Sequence, residues 1–183
     1  MSKRSIETPE DILEEKIDKI HRRREWKHFV AECIVIVAAI YVIFNYVIGI
    51  AFVSGSSMEP TLADGELMVF YRLDESYEEN DLVVIMREDN LEYIKRIVAT
   101  EGDIVEWNEE GTFLINGAEE DRPFVLGDTQ PMSEEISYPY EIPAGEYFVL
   151  GDNREDSRDS RTFGAVKEAE IIGRVFLHVG FTK

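Results

Sequence analysis

From Phe29 to Val53 the chain reads FVAECIVIVAAIYVIFNYVIGIAFV, and only Glu32 and Asn45 interrupt its apolar character. No other feature constrains the fold as strongly. A helix rises about 1.5 Å per residue, so about 20 apolar residues cross the hydrocarbon core of a bilayer. A core helix of a soluble protein keeps a polar face, and this run has none. The run is preceded by HRRREWKH, which places arginines and lysine on its N-terminal flank. Positive residues stay on the cytoplasmic side, so the sequence predicts a cytoplasmic leader at 1–28, a single anchor at 29–53 and an extracytoplasmic region at 54–183. A cleaved secretory leader has a shorter apolar core behind a short basic region, and this arrangement favours an uncleaved anchor. Thr8 before Pro9, followed by a carboxylate-rich turn, predicts that the leader is helical.

Charge is unevenly divided. Residues 1–28 carry 8 Lys+Arg against 7 Asp+Glu, whereas residues 54–183 carry 11 against 30. A net charge of −19 excludes a general nucleic-acid binder, which must neutralise phosphates. The single cysteine, Cys33, excludes an intrachain disulfide framework. Beyond Gly55 the pattern turns to short runs of branched and aromatic residues bounded by turn residues: 66–72, 82–86, 92–98, 146–150 and 171–179. Asn116-Gly117 after an apolar run is a hairpin signal. These runs predict a mainly β, antiparallel domain, with an irregular loop over 127–143.

Three stretches carry chemistry. Ser57 lies in SGSSMEPTL, directly after the apolar run, and a serine nucleophile needs a base. His178 is the only histidine beyond the run, and G-x-S-x-G is absent because Glu59 follows Met58. Lysine is the other base used with a hydrolytic serine. Lys95, Lys167 and Lys183 are the only lysines beyond Val53. Lys167 sits in a polar stretch and Lys183 ends the chain, whereas Lys95 lies inside EYIKRIV. Strand alternation puts Tyr93, Lys95 and Ile97 on one face, where lost hydration lowers an amine's pKa. The third stretch is GDNREDSRDSRTFG at 151–164. It fails as a calcium loop, with Arg154 at a ligand position and Phe163 where the closing glutamate belongs.

In combination these motifs resemble the type I signal peptidases, membrane-anchored serine proteases that remove signal peptides from exported proteins. The resemblance runs from about Phe29 to Phe176 and rests on S-M-x-P, on YIKRIV with its following GD, and on G-D-N-R-x-x-S-x-D-S-R. It implies a signal-peptidase-like antiparallel β catalytic domain behind one transmembrane helix, with a β region inserted at about 104–147. It further implies Ser57 as nucleophile and Lys95 as general base, with Ser157 orienting the amine. Asp159 and Arg161 would form a supporting ion pair, and the Ser57 backbone N–H would serve the oxyanion. No cofactor or metal is implied. Substrates would be preproteins with small residues at −1 and −3, met at the lipid bilayer. The chain has ATEGD where the family often has GLPGD, Gly55 where some members have serine, and one span, as in the Gram-positive form. Two other readings share the scaffold. One is a dedicated processing peptidase for a few substrates, such as pilin subunits. The other is an inactive binding protein, whose signature would be loss of the serine or the lysine.

Overall fold

A computed structural model describes residues 9–180, with 75, 88–90 and 121 excepted. Thr8 and Lys183 therefore lie outside the described residues. The chain divides into two compact units, Met1–Ile43 and Phe44–Lys183.

The first unit is helix α1 (Pro9–Val42), which opens on proline, a residue whose fixed φ suits a helix start. One stretch, His21–Val47, is long and apolar enough to cross a membrane. Its apolar side chains, among them Ile34, Val35, Ile36 and Val37, are exposed on all sides.

The second unit is mainly β. A π-helical turn, Ile43–Val47, leads into β1 (Ile48–Phe52). Then follow β2 (Leu67–Tyr71), β3 (Leu82–Met86) and β4 (Glu92–Ala99). A group of short strands comes next: β5 (Ile104–Trp107), β6 (Phe113–Ile115), β7 (Ala118–Glu119) and β8 (Tyr140–Glu141). The chain closes through β9 (Glu146–Leu150), helix α2 (Ser160–Phe163), β10 (Val166–Lys167) and β11 (Ile171–Val179). A seven-stranded sheet has the order β1-β2-β11-β3-β4-β9-β10, and a four-stranded sheet the order β7-β6-β5-β8. Every strand pairing within them is antiparallel. The β6–β7 hairpin turns at Asn116 and Gly117, whose φ values of 53° and 77° are what a two-residue type I′ turn requires.

β9 shows how alternation builds the core. Phe148 and Leu150 pack with Val105 and Phe113 of the smaller sheet and with Ile142 just after β8, while Val149 packs on the opposite side with Val83, Ile85 and Ile97. β4 is buried without a break from Lys95 to Ala99, a strand covered on both faces. An alternating half-buried pattern is therefore absent there, and two charged residues share the interior with their apolar neighbours.

The helix ends before the apolar run does. The expected anchor reached Val53, but Ile48–Phe52 is a strand paired with β2, Ile50 opposite Val69. Gly49 permits the close packing of this strand. A Cβ on it would lie 2.1 Å from the Phe70 ring, so the glycine lets that ring close over the strand. Hydropathy alone does not separate a spanning helix from an adjoining apolar strand. Ser57 thus follows the last helical residue by a full strand and a turn.

Candidate active site

Three segments meet around Ser57. The first is the turn after β1. Val53 donates to the Glu66 carbonyl at 2.8 Å, and Gly65 donates back to the Val53 carbonyl at 2.9 Å. Gly55 has φ +90°, a left-handed conformation that suits glycine, and its N–H donates to Asp64 at 2.8 Å. Met58 and Leu62 are buried with Val53 and secure the segment from below.

β4 supplies the second segment. Lys95 is 2% exposed, and its Nζ donates to Ser57 Oγ at 2.9 Å and to the Ile94 carbonyl at 2.8 Å. The Tyr93 ring lies 5.8 Å from the same amine. Burial lowers the Lys95 pKa to about 8; Asp159 and Asp152 oppose the drop, and Arg161 adds to it. A cavity of about 100 Å³ opens beside the pair, walled by Ala51, Val53, Met58 and Ile94 among others.

The third segment follows β9. Gly151 passes so close that a Cβ there would lie 2.2 Å from Ser157 Oγ and 2.5 Å from the Ser57 carbonyl oxygen. Asp159 caps α2 and takes a two-pronged grip from Arg161, Nε to Oδ1 at 2.9 Å and Nη2 to Oδ2 at 2.8 Å. It also accepts from the Gly151 N–H at 3.1 Å, which ties the ion pair to that close passage. Both residues are buried, so the pairing offsets a large desolvation cost. Ser157 is buried as well, but its Oγ has no hydrogen-bond partner among the described residues, so no bond joins it to Lys95.

The two alternative bases set aside in the sequence lie apart from this centre. Lys167 is exposed on β10. His178, on β11, faces Glu66 at 3.4 Å. Among the described residues no cluster of three or more histidine, cysteine or acidic side chains is arranged to hold a metal ion.

Several supporting residues carried no assignment from the sequence. Arg96 grips Asp152 through Nε and Nη2 at 2.8 and 2.6 Å, reaches the Asn80 carbonyl at 3.0 Å, and stacks over Phe124 at 3.9 Å. Arg154, also buried, pairs with Glu120 from the end of β7, and Glu120 in turn binds Arg122. A buried arginine requires a buried acid. The alternation of acids and arginines at 151–164 was the available signal, but the partners lie far away in sequence.

Residues 26–179 match the family described as signal peptidase, peptidase S26. The chain is 34% identical over 172 residues to the signal peptidase I of Bacillus caldolyticus, covering 86% of this chain and 90% of that relative. It is 33% identical over 169 residues to the signal peptidase IB of Staphylococcus aureus strain COL, covering 82% and 86%. A crystal structure of a signal peptidase I from Enterococcus faecalis aligns with a TM-score of 0.46 at 28% identity, over 56% of this chain and 98% of the other. The family match, carried by a β domain behind an apolar helix, defines a serine endopeptidase. The chain belongs to the signal peptidase family, peptidase S26, as a type I enzyme.

Proposed function

We propose that the chain cleaves signal peptides from exported preproteins at the outer membrane surface, with Ser57 as nucleophile and Lys95 as general base. One observation carries this reading: the buried Lys95 amine lies 2.9 Å from the Ser57 hydroxyl. The neutral amine takes the hydroxyl proton as Oγ attacks the scissile carbonyl. The lysinium then protonates the departing amine, leaving an ester on Ser57. A water deprotonated by Lys95 attacks that ester, and the proton returns to Ser57 as the new carboxyl product leaves. The Ser57 N–H, which has no acceptor among the described residues, serves the oxyanion. Ser157 orients the amine, a role supported by its buried, unpartnered hydroxyl beside Gly151. The Asp159–Arg161 pair holds the frame.

The small cavity beside Ser57 suits small side chains before the cut, at −1 and −3. Ala51, Val53, Met58 and Ile94 line it together with polar groups, and its volume is about 100 Å³. The basic flank of α1 supports a cytoplasmic leader and an external catalytic unit. Protease added to intact spheroplasts is then expected to reach residues 54–183 and spare the leader. Digestion of the leader alone would reverse the orientation and remove the function from the outer face.

The pH dependence tests the base. Processing of a purified preprotein by the full chain in detergent is expected to rise about tenfold per pH unit below about 8 and to level off above it. A flat profile would exclude Lys95 as the base, and one still rising toward the ordinary lysine range of about 10.4 would exclude a base whose pKa burial has lowered.

A further inference from the structure

The Ser57 N–H serves the oxyanion only if it points at the reacting carbonyl, and the turn that carries it follows an exposed left-handed glycine. Something must hold its direction. In a trans peptide the C=O of one residue and the N–H of the next point in opposite directions, so fixing the Ser56 carbonyl fixes the Ser57 N–H.

The Ser56 carbonyl is held twice, by the Glu59 N–H at 3.0 Å and by Asn153 Nδ2 at 3.3 Å. The Asn153 N–H also donates to the Ser57 carbonyl at 3.1 Å, so one residue grips both flanks of the nucleophile peptide. Beside it the Ser56 hydroxyl donates to the Asp156 carboxylate. Asn153 and Asp156 belong to one turn, with the Asp156 N–H donating to the Asn153 carbonyl at 3.3 Å. That turn is stiff. Both neighbours of Asn153 are buried charges in ion pairs, Asp152 with Arg96 and Arg154 with Glu120. Leu126 brackets it from the other side, donating to the Asp152 carbonyl and accepting from the Arg154 N–H, each at 2.8 Å.

We infer that Asn153 and Asp156 are positioning residues that aim the Ser57 N–H at the oxyanion, Asn153 through the Ser56 carbonyl and Asp156 through the Ser56 side chain. This rests on the Ser57–Lys95 reading above. Neither residue touches the reacting atoms in this scheme. Both act by keeping one peptide plane from turning about the glycine. Their loss therefore weakens binding of the transition state and leaves substrate binding nearly intact.

The experiment is steady-state processing by the full chain in detergent, comparing Asn153→Asp, Asp156→Ala, Asp156→Asn, Ser56→Ala and the Ser56→Ala/Asp156→Ala pair. Asn153→Asp keeps the shape and places an acceptor against the Ser56 carbonyl. It is expected to lower kcat by about 10–100-fold, below the 10²–10³ lost with a whole oxyanion donor. Asp156→Ala is expected to cost about tenfold in kcat, with KM within about twofold in both variants. Asp156→Asn retains an acceptor for the Ser56 hydroxyl and restores the rate. Because both act through one hydrogen bond, the Ser56→Ala/Asp156→Ala pair is no slower than either single change. The pH midpoint stays near 8 in Asp156→Ala, Asp156→Asn and Ser56→Ala, because Asp156 is not among the groups that move the Lys95 pKa; Asn153→Asp adds a carboxylate beside the site and is read by kcat and KM alone. Unchanged kcat in Asn153→Asp and Asp156→Ala overturns the inference. So does a loss confined to KM, or a pH midpoint shifted in Asp156→Ala, which would place the effect on Lys95. Ser57→Ala separates the two levels: if it stays active the dyad reading fails and the clamp with it. If it is dead while the clamp variants keep full kcat, only the clamp fails.

Discussion

Ser57→Ala and Lys95→Arg are each expected to lower preprotein processing about 10³-fold or more. The first removes the proposed attacking oxygen. The second keeps a cation but removes the proposed base, since a guanidinium keeps its proton throughout the accessible pH range. Arginine activity within tenfold of the native chain would end the case for a neutral amine. Lys95→Met separates catalysis from stability, because it fills a similar volume without a charge. The Lys95 pKa falls to about 8 in the folded chain from an unfolded value near 10.4. Between those values the unfolded chain binds the proton and the folded chain does not, so native stability rises with pH across that window. Below about pH 8 both states are protonated and the full cost of burying the ammonium remains. Lys95→Met is therefore expected to be inactive yet more stable at pH 7, by about 1–3 kcal/mol. The difference should shrink as the pH approaches 10.4, as followed by urea unfolding of the intact chain in detergent. A Lys95→Met chain no more stable at pH 7 than the native one would contradict this account.

Asp159→Ala carries the largest expected loss of stability. It strands the buried Arg161 guanidinium, removes the cap of α2 and frees the Gly151 N–H. Breaking one side of a buried pair costs about 3–5 kcal/mol, whereas an apolar replacement of both sides is often neutral. Asp159→Ala with Arg161→Met should therefore recover much of what the single change loses. Asp159 also raises the Lys95 pKa, so any processing left in the single variant should have its pH midpoint moved below 8. A loss under about 1 kcal/mol in urea unfolding would show that the pair does not hold the frame.

Much of this was legible in the sequence because the signals were local. The runs at 82–86 and 146–150 coincide with β3 and β9, and Asn116-Gly117 turns where its conformational preference places it. Ser57 and Lys95 were separately ambiguous, and only the order of three motifs joined them. Their 2.9 Å approach depends on β4 being covered on both faces, which alternation did not forecast. Ile48–Phe52 was hidden because an apolar strand following an apolar helix leaves no break in hydropathy. Arg96 with Asp152, and Arg154 with Glu120, are long-range pairs, and nothing local in a sequence tells which acid meets which arginine. Ser157 is the converse case. The motif assigns it to the lysine, and its hydroxyl has no partner among the described residues.

The early end of the helix matters to anyone preparing a soluble version of this enzyme. Hydropathy suggests deleting everything through Val53 and beginning expression at Ser54. That cut would remove β1, one of the two edge strands of the larger sheet, and with it Ala51 and Val53 from the wall of the cavity beside Ser57. It would also expose the flank of β2 that pairs with β1, a ready template for aggregation. The compact unit begins at Phe44. A truncation placed there discards most of the greasy helix and keeps the strand, and it is the better starting point for crystallisation or inhibitor screening.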